Sequence, residues 1–153
     1  MDAAEDLRRV TQRFFRRFGA FAADATPCGK PIAMVHAHAL MILSARDALS
    51  QQELGIELCI DKSNVARLCA KMVEAGHVTQ RADSADGRSR IVSLTARGQR
   101  LAREVDTASR ARFDALLEAI PEARRRGVIE SLKLLIAAIE PPVAATSAHR
   151  TSP

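Results

Sequence analysis

Side chains able to read nucleic-acid bases recur at helical spacing between residues 62 and 75. Ser63, Asn64 and Arg67 lie in the first turns of a predicted helix, and Lys71 follows one turn further on. An asparagine amide can hydrogen-bond the edge of adenine, an arginine guanidinium can bind guanine, and a lysine can meet a phosphate. The pattern indicates recognition of a duplex from one helix face. The plainer alternative is a solvated polar face on an ordinary helix.

A second group of cations follows in a predicted β-hairpin. Residues 77–82 and 89–94 are short β-tolerant runs joined by a polar turn that contains Gly87. The hairpin carries Arg81, Arg88 and Arg90. An arginine at a hairpin tip can approach phosphates or enter a narrow minor groove. Asp86 precedes Arg88 by two residues, a spacing that lets its carboxylate hold the guanidinium.

Short-range capping signals predict the helices that position these groups. Ser50 and Glu53 form a capping-box pattern at the start of a short helix that ends near Cys59. Asp61 can cap the next helix, from Lys62 to about residue 75, and Gly76 can end it. Ser50 and the N–H groups of its helix can also hold a phosphate. The second helix has one apolar face, formed by Val65, Leu68 and Met72.

A family resemblance rests on three segments and on their order and spacing: Leu-Ser-Gln-Gln-Glu-Leu (49–54), Ile-Asp-Lys-Ser-Asn-Val (60–65) and Asp-Gly-Arg-Ser-Arg-Ile-Val-Ser-Leu-Thr-Ala-Arg-Gly (86–98). With them, residues 5–140 resemble the multiple-antibiotic-resistance regulators of bacteria, the MarR family. The wing followed by Leu-Thr-x-x-Gly is the specific part. Two residues depart from the family pattern: Cys59 stands where glycine is frequent, and Gly55 where alanine is usual.

The resemblance implies a mainly α fold with a small β-hairpin wing. Residues 33–95 would form the winged helix-turn-helix, and residues 3–31 and 96–140 the dimerisation helices. The implied protein is a homodimeric transcriptional regulator, a repressor released by a small aromatic or anionic effector. Its partner would be double-stranded DNA with a pseudo-palindromic operator. In the resembled family the Asp-x-Arg of the wing orients the arginine, and Asp86 and Arg88 match it.

The first two predicted helices supply the candidate effector residues. Apolar residues at steps of three and four predict an amphipathic helix from about residue 3 to 24, and a second follows from about 32 to 44. In the resembled family these helices border an effector pocket, which suggests Phe14, Phe18, His36, His38 and Met41. Simple core packing is the alternative for the phenylalanines, and a partly buried polar position for the histidines.

The C-terminal third predicts two helices, from about 95 to 120 and after Pro121. The last helix has a dense apolar stripe, which predicts a partner chain. Its members are Val128, Ile129, Leu132, Leu135, Ile136 and Ile139. The proline pair 141–142 ends it, and residues 141–153 are predicted to be a disordered tail.

Composition bounds the remaining functions. A chain of 153 residues with net charge +5 fits one domain with a polyanionic partner. No stretch is apolar enough for a membrane span, and the acidic start does not fit a signal peptide, so a cytoplasmic protein is expected. Phosphate loops, nucleophile elbows and zinc-type Cys/His spacings do not occur, which predicts neither an enzyme nor a cofactor.

Three alternatives stay open within this reading. Cys28, Cys59 and Cys69 do not form a disulfide framework, but a thiol-redox regulator of the same fold could use one of them. A metal-responsive regulator would need Asp24, Cys28 and His36 to converge. The third alternative is a winged helix that binds only protein, against which the cations in both reading elements argue.

Overall fold

The structure, a computed structural model, describes residues 2–140. Its elements are α1 (Ala3–Phe18), α2 (Met34–Arg46), β1 (Ala48–Ser50), α3 (Gln51–Glu57), α4 (Lys62–Glu74), β2 (Val78–Ala82), β3 (Arg90–Leu94), α5 (Ala96–Glu118) and α6 (Glu122–Ile139). This confirms the predicted mainly helical fold with a β-hairpin. The tail predicted from residue 141 lies outside the described residues. The chain divides after Phe113 into two compact units.

Three short strands form one antiparallel sheet in the order β1-β3-β2. The hairpin β2–β3 was predicted, whereas β1 was not. Leu49 of β1 and Gln80 of β2 both pair with Val92 of β3. The strand β1 therefore joins the helix-turn-helix directly to the base of the hairpin.

The predicted helix 3–24 is too long, because α1 ends at Phe18. Gly19 follows with a φ of 89°, and its N–H donates to the carbonyl of Phe15. Such a left-handed residue ends a helix. Phe21 continues the apolar spacing in the sequence but lies in the following loop, 74% exposed. The second helix likewise begins at Met34 and continues to Arg46, two residues later at each end than predicted.

The core of the first unit lies between α2, the helix-turn-helix and the sheet. Its fully buried side chains include Leu40 and Leu43 of α2, Leu54 of α3, Met72 of α4 and Val92 of β3. The apolar face predicted for α4 is confirmed, since all three of its members are buried. Burial of this face fixes the rotation of α4, so its polar face is presented to solvent.

Hydrogen bonds and a close backbone contact at Thr95 and Gly98 hold the start of α5 against the end of α4. The Thr95 hydroxyl accepts from the N–H of Gly98 at 3.0 Å and donates to the carbonyl of Gly76 at 2.6 Å. A Cβ at Gly98 would overlap the carbonyl oxygen of His77. The Leu-Thr-x-x-Gly segment thus caps α5 and lets its backbone touch the base of the wing.

The helices α1 and α6 carry exposed apolar side chains. Neither α1 nor α6 has a buried residue. Val10 of α1 is 58% exposed and Ile139 of α6 is 81% exposed. Within residues 2–140 no helix is long and apolar enough to cross a membrane.

Replacing Gly98 by alanine tests the close approach of α5. Because the added methyl group meets backbone rather than a flexible side chain, Gly98→Ala is expected to lower the free energy of unfolding by about 3 kcal/mol. The matched control is Gly127→Ala in α6, where a Cβ meets nothing within 4 Å. This control should raise stability by about 0.5–1 kcal/mol through helix propensity. Urea unfolding at one fixed protein concentration measures both; equal stability of Gly98→Ala and wild type would contradict the contact.

Candidate functional site

The helix α3 begins with the predicted capping box. The Ser50 hydroxyl accepts from the N–H of Glu53 at 3.1 Å, and the Glu53 carboxylate accepts from the N–H of Ser50 at 2.8 Å. These bonds lower the pKa of Glu53. They also occupy the backbone N–H of Ser50, so Ser50 cannot donate that group to a phosphate. Only the hydroxyl proton of Ser50 is left for such a contact.

A ladder of hydrogen bonds crosses the exposed face at the start of α4. Asp61 caps the helix by accepting from the N–H of Asn64 at 2.8 Å, and it also accepts from the Asn64 amide at 2.7 Å. The Asn64 carbonyl oxygen accepts from the Arg67 guanidinium at 2.6 Å. The pKa of Asp61 is lowered, chiefly by the backbone N–H of Asn64. The ladder holds the two predicted base-reading side chains side by side.

The other predicted members of this face are also exposed, at Ser63 and Lys71. All four residues predicted for the reading face of α4 are therefore directed away from the core, as their spacing predicted. Their partners in a complex would lie along a single helix face.

The wing differs from its prediction at Asp86. Its carboxylate accepts from the backbone N–H of Arg88 at 3.0 Å rather than holding the guanidinium. The tip is closed by two further backbone bonds, from Ser89 to the carbonyl of Asp86 and from Asp83 to that of Ser89. Asp86 therefore shapes the turn, and the guanidinium of Arg88 extends from it, exposed.

The three wing arginines do not share one side of the hairpin. Arg90 pairs with Ala82, whereas Arg81 pairs with Ile91, and neighbouring pairs point to opposite faces of a sheet. Arg88 and Arg90 line a groove of about 500 Å³ between the wing and the helix-turn-helix, and Arg81 does not. Lys62 and Gln51 also line this groove. Sequence reasoning did not assign those two to the site, although Gln51 begins α3 and Lys62 begins α4.

The two residues that depart from the family pattern, Cys59 and Gly55, lie at or beside the turn between α3 and α4. Cys59 has a φ of 55°, so the frequent glycine is replaced by a residue that incurs a steric penalty there. Gly55 packs closely on α4, since a Cβ on it would lie 3.2 Å from the Cγ1 of Val65. The glycine therefore allows α3 and α4 to approach each other.

A cavity of about 240 Å³ lies within the first unit, between α1, the loop at 26–28, α2 and α5. Phe14, Phe18, His38 and Met41 line it, as predicted. The rings of Phe14 and Phe18 stack at 5.3 Å, and Phe113 of α5 lies 5.9 Å from Phe18. Three aromatic rings thus give the cavity apolar walls.

Few polar groups interrupt these walls, and none of the lining residues is a carboxylate. Arg112 and Ser109 come from α5 and His38 from α2. At the loop, the Thr26 hydroxyl lies 3.0 Å from the Cys28 sulfur. Sequence reasoning missed Arg112, although its helical spacing from Val105 and Ser109, at steps of three and four, could have indicated it. The cavity is suited to an uncharged or anionic aromatic molecule rather than to a cation.

His36 does not line the cavity, contrary to the prediction. Its Nε2 lies 3.0 Å from Nδ1 of His77, at the base of the wing. Burial lowers the pKa of both rings. A neighbouring group lowers each pKa further: His77 acts on His36, and Arg97 acts on His77. Two histidines at i and i+2 on α2 thus point to different partners, as the helical spacing predicted.

The three cysteines occupy different environments. Cys69 is buried, and burial raises its pKa to about 11, which makes its thiol unreactive. Cys59 is exposed in the turn, and Cys28 is half-buried at the cavity. Cys28 and His36 do not meet, and residues 2–140 contain no cluster of three groups able to hold a metal ion.

Comparisons with known proteins agree with this geometry. Residues 31–89 match the model of the MarR family. A MarR transcriptional regulator from Methanosarcina mazei is similar over 88% of this chain and 96% of its own, with 26% identity and a TM-score of 0.71. Over residues 31–89 the chain is therefore similar to the MarR family, and its fold is that of a MarR transcriptional regulator. MarR regulators are transcription factors and not enzymes.

Two further MarR-fold structures are similar in fold. MepR of S. aureus, in complex with DNA, matches with 16% identity and a TM-score of 0.69, over 92% of this chain and 99% of its own. BpsR of Bordetella bronchiseptica, whose DNA binding is regulated by 6-hydroxynicotinic acid, matches with 19% identity and a TM-score of 0.68, over 88% and 92%. No curated protein matches the chain.

Replacing Cys59 by glycine tests the strain in the helix-turn-helix. Glycine adopts a positive φ without steric penalty, so Cys59→Gly is expected to raise the free energy of unfolding by about 0.5–1 kcal/mol. Cys59→Ala keeps the Cβ and should match wild type. Urea unfolding of the three proteins gives the comparison. If the alanine variant gains as much as the glycine variant, the gain comes from loss of the thiol and the strain is absent.

Proposed function

We propose that the protein is a homodimeric DNA-binding transcriptional repressor that a small aromatic or anionic effector releases from its operator. The observation that carries the proposal is the groove between α4 and the wing. Cations from both elements line it, with Lys62 at the start of α4 on one side and Arg88 and Arg90 on the other. Arg67 is exposed on the same helix. A solvated surface has no need of cations gathered in two elements of one winged helix.

The contacts divide by what each element presents. Asn64 and Arg67 lie at the start of α4, where side chains reach base edges in a major groove, and each good bidentate pair contributes about 1–3 kcal/mol of discrimination. They would exchange their mutual hydrogen bond for bonds to bases. Lys71 lies further along and meets phosphate. The remaining polar contacts of the helix-turn-helix come from the hydroxyls of Ser50 and Ser63.

The wing supplies cations to the neighbouring minor groove. Arg88 extends from the hairpin tip and is the strongest candidate, with Arg90 on the groove side behind it. Arg81 faces the other way, so it meets phosphate at most. Asp86 contributes by fixing the turn that carries Arg88. MepR, which has the same fold, is known in complex with DNA.

Dimerisation is supported by the uncovered apolar side chains of α1 and α6. Leu7 and Val10 of α1 are more than half exposed, and so are Leu134 and Ile136 of α6. Such surfaces on a single chain mark an interface. A two-fold dimer would present two α4 helices, so its operator would be pseudo-palindromic with half-sites about one helical turn apart.

The cavity supports an effector of the size of one substituted aromatic ring. An apolar cavity of about 150 Å³ holds benzene, so 240 Å³ leaves room for substituents. Stacked phenylalanines favour an aromatic ring, and Arg112 favours an anionic group. BpsR, with a related fold, responds to an aromatic acid of this kind.

Release follows if the effector binds the DNA-incompetent arrangement more tightly. The helix α5 lines the cavity with Val105 and Arg112 and begins at the base of the wing with Thr95 and Gly98. A ligand that shifts this helix would change the position of the wing and of α4. The cavity and the groove are then two distinct sites with one shared element, which is the requirement for allosteric coupling.

Replacing Arg88 by alanine tests DNA recognition. Loss of one groove cation is expected to weaken binding to the DNA flanking the protein's own gene about tenfold, and to reduce the salt dependence of log K by about one unit. Fluorescence anisotropy at two salt concentrations measures both. The control Arg110→Ala removes an exposed arginine of α5, paired with Asp106, and should leave affinity unchanged. Unchanged affinity in Arg88→Ala would remove the wing from the interface.

Replacing Arg112 by glutamine tests the effector cavity. Benzoate and its hydroxylated derivatives are expected to bind wild type and to bind Arg112→Gln about tenfold more weakly, because a charged hydrogen bond is lost. Benzyl alcohol has the same ring without the charge and should not distinguish the two proteins. Calorimetry measures affinity, with Arg110→Gln as control. Equal affinity of benzoate for all three proteins would contradict the role of Arg112.

A further inference from the structure

His77 is the junction of four elements. Its N–H donates to the carbonyl of Met72 at 2.9 Å, which closes the end of α4, and its own carbonyl accepts from the N–H of Thr95 at 3.0 Å. Gly98 of α5 rests on the same carbonyl. The next residue begins β2. The side chain of His77, 8% exposed, reaches His36 of α2.

The ring contact is a hydrogen bond between two imidazoles. His36 Nε2 and His77 Nδ1 lie 3.0 Å apart, with the rings edge to face at 5.1 Å. One nitrogen must carry the proton and the other must accept it. Two neutral rings satisfy this bond, and one added proton can be shared. When both rings are protonated, two N–H groups face each other and the bond is lost.

The surroundings of the pair disfavour cations. Arg97 of α5 is the charged group that acts on His77, and His77 in turn acts on His36. The first β2–β3 pair beside them, Val78 with Leu94, is apolar. Within residues 2–140 no carboxylate forms a hydrogen bond or ion pair with either ring. Burial first, and these neighbours second, lower the pKa of both histidines, so the pair is neutral at neutral pH.

We propose that the His36–His77 pair is a proton-sensitive latch, which fixes α2 to the junction of α4 and the wing at neutral pH and opens in mild acid. This inference rests on the proposed function, because the latch holds the two DNA-reading elements. Opening it frees the end of α4 and the base of the wing from α2. Operator recognition then declines as the pH falls, although added positive charge strengthens binding to any DNA.

The lowered pKa of the two histidines also determines how the free energy of unfolding changes with pH. A histidine in the unfolded chain titrates near 6.5, and the folded pair takes up protons only at lower pH. The unfolded state therefore binds more protons in mild acid, so the latch contributes stability above about pH 6.5 and loses it as the pH falls. Removing the titration should flatten this dependence.

Ring signals of the histidines provide the direct test. Heteronuclear NMR of the free wild-type protein between pH 4.5 and 8 should show His36 and His77 titrating together, below the ordinary range near 6.5. Assignment follows from His36→Gln and His77→Gln. Independent titration of the two rings near 6.5 would overturn the latch. This measurement needs no DNA, so it stands whether or not the proposed function does.

Operator binding then tests the consequence. The ratio of affinity for operator DNA to affinity for random DNA is expected to fall about three- to tenfold in wild type between pH 7.5 and 5.5, the factor that one hydrogen bond is worth. His36→Gln should hold this ratio constant, whereas His149→Gln, which leaves both rings of the pair in place, should keep the wild-type fall. A ratio that falls equally in His36→Gln would overturn the latch. Absence of specific binding at every pH would instead contradict the proposed function.

Discussion

The contact of Gly98 with the carbonyl of His77 is the constraint on which the arrangement of the first unit depends. At this point the backbone of α5 touches the residue that ends α4 and leads into β2. Any side chain at position 98 would separate the two. Thr95 fastens the same point by bonding both Gly76 and Gly98. The helices α4 and α5 and the wing therefore meet at one junction.

That junction connects the cavity to the groove between the wing and the helix-turn-helix. The helix α5 starts at the junction and, further along, lines the cavity with Val105, Ser109 and Arg112. The helix α2 lines it with Met41 and reaches the junction through His36. The helices α2 and α5, which line the cavity, are thus in contact with the elements that would bind DNA, α4 and the wing. A ligand that shifted either helix would therefore act on α4 through these contacts.

Features set by neighbours in sequence were predictable. Helix caps depend on residues only a few positions apart, so sequence spacing predicts them. This applies to the capping box at Ser50, the cap at Asp61 and the end of α4 at Gly76. The resemblance placed the wing for the same reason, since its motif is continuous. Phe14 and Met41 line the cavity, and the resemblance suggested them because its effector pocket is bordered by the first two helices.

Features set by distant partners were not predictable. The strand β1 has three residues and exists only because β3, far along the chain, pairs with it. The partner of His36 is 41 positions away, so the sequence could not exclude it from the cavity. Asp86 could bond either the backbone or the guanidinium of Arg88, and spacing does not distinguish the two. At α1, the apolar period continued past Gly19, but the local backbone ended the helix.

Titration of the purified protein against the DNA flanking its own gene, at two salt concentrations, tests the central claim most directly. A sequence-specific regulator should bind one segment tightly and saturably, with affinity that falls steeply with salt and exceeds that for random DNA by about 10³ or more. Weak binding that random DNA matches at both salt concentrations would contradict sequence-specific recognition of this DNA by α4 and the wing.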